Sequence, residues 1–167
     1  MVRQFITLFI ENISFVMLTT SILLGAIIGL VARKKEVMVT AMIRFMMLLS
    51  VGVIGMWAFI GHTFFASQVA AFIGWGSTPF QFEVAVANLG FGLAGLVGFR
   101  QKFDFWFGVS IIWTTFLWGA AVGHLYQMIF HGNFAAGNVG MTLYMDILRP
   151  AILNFLLFYY WKNYHRS

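Results

Sequence analysis

The 167-residue chain has no cysteine, two prolines and only 9% charged residues. Without cysteine it has no thiolate nucleophile, no cysteine-held iron–sulfur cluster and no disulfide, so thiols reveal nothing about its redox compartment. Charge is scarce too: soluble domains carry roughly 25% charged residues, and that gap excludes an ordinary water-soluble fold. Phosphate-cradling loops, G-x-S-x-G nucleophile elbows and dinucleotide fingerprints are missing, which removes soluble-type hydrolases and kinases.

What the chain has instead is hydrophobic length, at 61% of its residues. Five apolar stretches, about residues 5–32, 37–65, 80–99, 103–131 and 141–161, each reach the ~20 residues a bilayer-spanning helix needs. The expected fold is all-α: a polytopic membrane helix bundle forming a single transmembrane domain over residues 1–167. A cleaved signal peptide is the rival reading of the first stretch. Its length, Glu11 inside it and the lack of a small-residue cleavage site favour a retained span.

Ala66 to Pro79 reads as a re-entrant or interfacial stretch ending in a turn, with Trp75 as a headgroup-level anchor. Gly132 to Gly140 reads as a loop because Gly and Asn adopt turn conformations cheaply. Pro150 is expected to kink span five. Met38, Met42 and Met46, at helical spacing, are expected as packing filler rather than a copper relay, and Gly25 and Gly29 as a close helix contact, internal or dimeric.

The formal charge of +5 does not point to nucleic acid, because the basic residues cluster between apolar spans. Arg33, Lys34, Lys35, Arg100, Lys102, Lys162 and Arg166 fall after spans one, three and five, while the connections after spans two and four hold no Lys or Arg. The positive-inside rule then sets the N-terminus outside and the C-terminus in the cytoplasm.

With that orientation, the ~1.5 Å helical rise places Glu11, His62, Glu83, His124, Asp146 and Arg149 in the outer half of the membrane. Ionisable groups in lipid cost roughly 2.5–3.5 kcal/mol each on insertion scales, so they should face inward and find partners. Glu83 continues into a small-residue stripe, Ala87, Gly90, Ala94 and Gly98; Gly55, Ala58 and His62 form another. Trp113, Leu117, Ala120, His124, Gln127 and His131 share a face of span four.

One reading has His62, Glu83 and His124 converging on a metal ion, with His131, Gln127 or Glu11 as a further ligand or support; two imidazoles and a carboxylate suit zinc, iron or manganese. A second has the same residues as a hydrogen-bond and ion-pair network that fixes packing, with Asp146 and Arg149 neutralising each other. A third has an aromatic cavity for a quinone, haem or lipid headgroup; a conduction path is the least supported, since the inner half offers no polar continuation. Partners are then the bilayer, a homo-oligomer or a larger membrane complex, and enzymatic activity is left open.

The segments Gly61-His62-Thr63-Phe64-Phe65, Phe72-Ile73-Gly74-Trp75 and Ser77-Thr78-Pro79-Phe80-Gln81-Phe82-Glu83 resemble small bacterial inner-membrane proteins of the broad DoxX-like kind. Gly132-Asn133 and Gly137-Asn138 are similar to elements of an uncharacterised bacterial membrane family. The resemblance implies a compact bundle in a bacterial inner membrane and, for some relatives, an accessory role in quinone-linked oxidation. This chain departs from it by a fifth span and the lack of cysteine.

Overall fold

The computed structural model describes residues 2–165, with side chains from Glu11 onward. Among these residues there are helices and turns but no strand. The first helix, α1 (Val2–Ala32), turns at Arg33, which takes a positive φ of 53°. Next, α2 (Lys35–Phe45) runs through a π-helical segment, Met46–Val53, into α3 (Ile54–Phe64), making one continuous 30-residue span. The short α4 (Ala66–Ile73) ends at Gly74, whose φ of 75° is the left-handed conformation that glycine adopts without a Cβ penalty. Then come α5 (Phe80–Gly98), α6 (Phe103–His131), the single turn α7 (Ala136–Val139) and α8 (Met141–Tyr160), which closes in a π turn over Trp161–His165.

Among the described residues five helical spans are thus long and apolar enough to cross a membrane. Arg166, one of the basic residues read for orientation, lies outside the described residues. The others group at one end of the bundle, called the basic end below. Trp75 and the α6–α8 connection lie at the opposite, loop end.

Small residues set the closest helix contacts. A Cβ on Gly25 would sit 2.6 Å from Met42 Cα, and one on Gly29 2.6 Å from Met38 Cα, so this G-x-x-x-G is an internal seam between α1 and α2. Met38 and Met42 fill that seam, while Met46 is fully buried, as packing residues would be.

On α5 the contact stripe differs from the expected one. The buried positions are Ala85, Gly92, Gly95 and Gly98, and a Cβ on Gly55 would fall 2.6 Å from the Gly92 nitrogen. Among the described residues Gly90 has open space around it. Two residues along a helix rotate the side chain by about 200°, so a stripe through Ala85 turns Glu83 to the opposite face.

The core joins the π segment to α6 and α8: Met46, Met47 and Val51 pack in one cluster with Trp106, Trp113, Met145 and Leu153. Pro150 is buried within α8 and supplies no N–H to the carbonyl of Asp146, four residues back.

Candidate functional site

A connected polar cluster lies where the α6–α8 connection folds over the loop end. His124 on α6 and Asp146 and Arg149 on α8 are all buried. Asp146 Oδ1 accepts from an Arg149 terminal nitrogen at 2.9 Å, which puts the expected i,i+3 pair in place. Arg149 Nε also donates to the Met145 carbonyl at 3.1 Å, and Nη1 reaches the Ser50 carbonyl at 3.5 Å, within the π segment. Its guanidinium carbon stands 5.5 Å from the centre of the Trp113 ring, a cation–π arrangement in a site without bulk water. π segments occur frequently at functional positions, and this one offers a main-chain acceptor to a buried cation.

Asn138 organises the outer part of the cluster. Its Nδ2 donates to the His124 carbonyl at 3.1 Å and the Asn133 carbonyl at 2.9 Å, so its Oδ1 must face the other way. There Oδ1 accepts from the Trp75 indole N–H at 3.0 Å and lies 2.8 Å from His124 Nδ1. An amide oxygen only accepts, so Nδ1 carries a proton. His124 Nε2 is left facing Asp146 Oδ2 at 3.8 Å, an ion-pair distance when the ring is doubly protonated. Asn133 in turn donates to the Ile73 and Gly74 carbonyls at 3.0 and 3.2 Å, while its Oδ1 accepts from Ala135 N–H. Through these bonds the turn after α4 and the turn before α8 are held together over α6.

The residues expected at the site separate into two groups. His124 is a member of the cluster, Gln127 is half-buried one turn further along α6, and His131 is exposed at the helix end. Glu83 and Glu11 are exposed, and His62 is half-buried with no hydrogen-bond partner for Nδ1 among the described residues. The expected convergence of His62, Glu83 and His124 does not form: among the described residues no group of three or more His, Asp or Glu side chains is placed to hold a metal ion. Shared depth did not mean a shared face, and the rotation of Glu83 away from the α5 contact stripe is the reason. At His124 itself, Asp146 is the nearby carboxylate, and the Arg149 cation already neutralises it. A divalent ion there would have two protein ligands and a positive neighbour.

Asn133, Asn138, Trp75 and Ser50 were not expected as members. The two asparagines stood in a Gly-rich connection and read as turn formers, although a paired amide in an otherwise apolar loop was the available signal.

No curated protein and no solved structure matches the chain. A family profile does match, described as a family of unknown function (DUF6790), and it spans residues 11–166. It carries no link to DoxX. Since nearly all of the bundle described above falls within that match, the chain belongs to the DUF6790 family.

Proposed function

We propose that the chain is a non-catalytic subunit of the bacterial inner membrane, N-terminus outside and C-terminus in the cytoplasm, serving as a scaffold within a larger membrane assembly. In this reading the polar cluster is a clamp that holds the outer loops rigid. The observation that carries it is the inward closure of the cluster: His124, Asn138, Asp146 and Arg149 direct their bonds to one another and to main-chain carbonyls of the same chain. Exposed Glu11 and Glu83, on largely apolar helices, support assembly, since a carboxylate at a lipid-facing position is costly until a cation or headgroup meets it. The test combines metal analysis and an absorption spectrum of detergent-purified protein with thermal melts of His124→Ala. The expected result is neither metal nor a visible band at one per chain, and a lowered melting midpoint for the variant. A metal or chromophore present at one per chain and lost in His124→Ala would overturn the scaffold reading.

One observation favours a second reading, in which a metal such as zinc, iron or manganese, or a redox-active ligand such as quinone or haem, binds near His62. Its Nδ1 is buried without a partner among the described residues, so the ring keeps coordinating capacity. Under that reading His62→Ala loses the bound species. Under the scaffold reading the same change removes an unpaired polar atom and leaves the melting midpoint unchanged or raised.

A further inference from the structure

At the basic end, away from the clamp, α2, the start of α6 and the end of α8 enclose a recess of about 340 Å³ whose walls include Arg44, Lys102, Phe103 and Tyr160. That volume falls at the lower end of the roughly 300–1,000 Å³ of small-ligand pockets. Among the described residues neither Arg44 nor Lys102 has an ion pair, and both are exposed to the recess and its mouth. One carboxylate, Asp104, also lines the recess; it stands 4.0 Å from His165 Nε2, itself a lining residue, and its side chain is 94% exposed at the mouth. Its charge lies in solvent, where screening weakens it, so the recess keeps a net positive character. Hydroxyl groups of Thr40 and Tyr160 add potential donors.

Aromatic rings line the remaining wall and lead out of it. Phe103 lies over Tyr160, with centroids 6.1 Å apart and planes at 17°, and against His165 at 4.3 Å. One turn into the span Phe107 stacks on Phe103 at 5.8 Å, and both Phe107 and, a further turn along, Ile111 are exposed on the outer face of α6. A headgroup-sized basic recess therefore opens onto an apolar track that runs along the membrane span. A soluble phosphate ester could use the recess but not the track.

We propose that this recess binds the phosphate headgroup of an anionic phospholipid, with an acyl chain lying along Phe107 and Ile111. Arg44 and Lys102 neutralise the phosphate, and the aromatic wall shields the glycerol portion from water. Basic pockets between membrane helices are suited to this chemistry.

The test is native mass spectrometry of the detergent-purified full chain with dioleoyl phosphatidylglycerol, dioleoyl phosphatidylcholine or glycerol 3-phosphate added. Phosphatidylglycerol should be retained about tenfold more than phosphatidylcholine, and Arg44→Gln with Lys102→Gln should remove about that preference. Lys34→Gln with Lys35→Gln takes the same charge from outside the recess and should leave retention within about twofold of wild type. Equal retention of the two lipids by wild type overturns the proposal without recourse to any variant. So does an equal loss in the Lys34/Lys35 variant, which would mean diffuse charge attraction. Displacement of phosphatidylglycerol by an equal concentration of glycerol 3-phosphate would identify a soluble phosphate site instead.

Discussion

His124 and Asn138 bind each other twice, the imidazole Nδ1 2.8 Å from the amide oxygen and the amide nitrogen donating to the His124 carbonyl at 3.1 Å. Because the same amide oxygen accepts from Trp75 and the same nitrogen serves the Asn133 carbonyl, a single side chain fastens two loops to α6. Asn138→Ala strands these groups in a buried site, at about 1–3 kcal/mol for each donor or acceptor left unsatisfied. The expected outcome is a lower unfolding midpoint together with faster amide exchange over residues 74–79 and 132–140. Unchanged exchange in both segments would show that the amide does not hold them.

The Asp146–Arg149 pair allows a double-mutant cycle. Arg149→Met leaves a buried carboxylate without its arginine partner and should destabilise the bundle by about 3–5 kcal/mol, with Asp146→Leu similar in direction. Replacing both by apolar residues should recover most of the loss, since the desolvation cost disappears along with the attraction. Equilibrium unfolding in mixed micelles measures the coupling, and additive single effects would rule out a mutual pair.

Gly95 and Gly90 lie five residues apart on α5 and should respond differently to the same change. A Cβ on Gly95 would fall 2.6 Å from Gly52 Cα, whereas one on Gly90 would meet nothing within 4 Å among the described residues. Gly95→Val should therefore cost about 1–3 kcal/mol or more by overpacking, and Gly90→Val should be close to neutral. Thermal melts of the two variants in the same detergent decide it. Similar losses would mean that α5 packs on a different face.

Orientation is checked with a reporter active only in the periplasm. Inserted after Ala135 it should work, and fused after Ser167 it should fail, because seven of the ten Lys and Arg residues fall in the connections after spans one and three and in the tail. Activity of the C-terminal fusion would invert the topology and put the clamp on the cytoplasmic side.

The sequence by itself determined that the chain forms a helical bundle with five helices long and apolar enough to cross a membrane. That information is local: a bilayer-length apolar run needs only its own residues to satisfy its backbone hydrogen bonds, and a Gly such as Gly132 ends a helix through its own conformation. The Asp146–Arg149 pair was legible for the same reason, being three residues apart on one helix. His124 was legible as a buried polar residue on the inward face of α6, but its partners were not.

Only the tertiary structure decided which faces meet. Depth along a helix follows from counting residues, but the direction a side chain points depends on the rotation of the helix against its neighbours. A stripe through Ala85, Gly92 and Gly95 rather than Glu83 and Gly90 turned one expected ligand outward. The contribution of Asn138 and Trp75, 63 residues apart, arises because the connection between α6 and α8 folds back over the turn after α4. No periodicity encodes that contact, since loop residues meet through the packing of the helices that carry them. The site consequently moved from His62, Glu83 and His124 to His124, Asn138, Asp146 and Arg149, because burial and pairing of polar groups are properties of the assembled bundle.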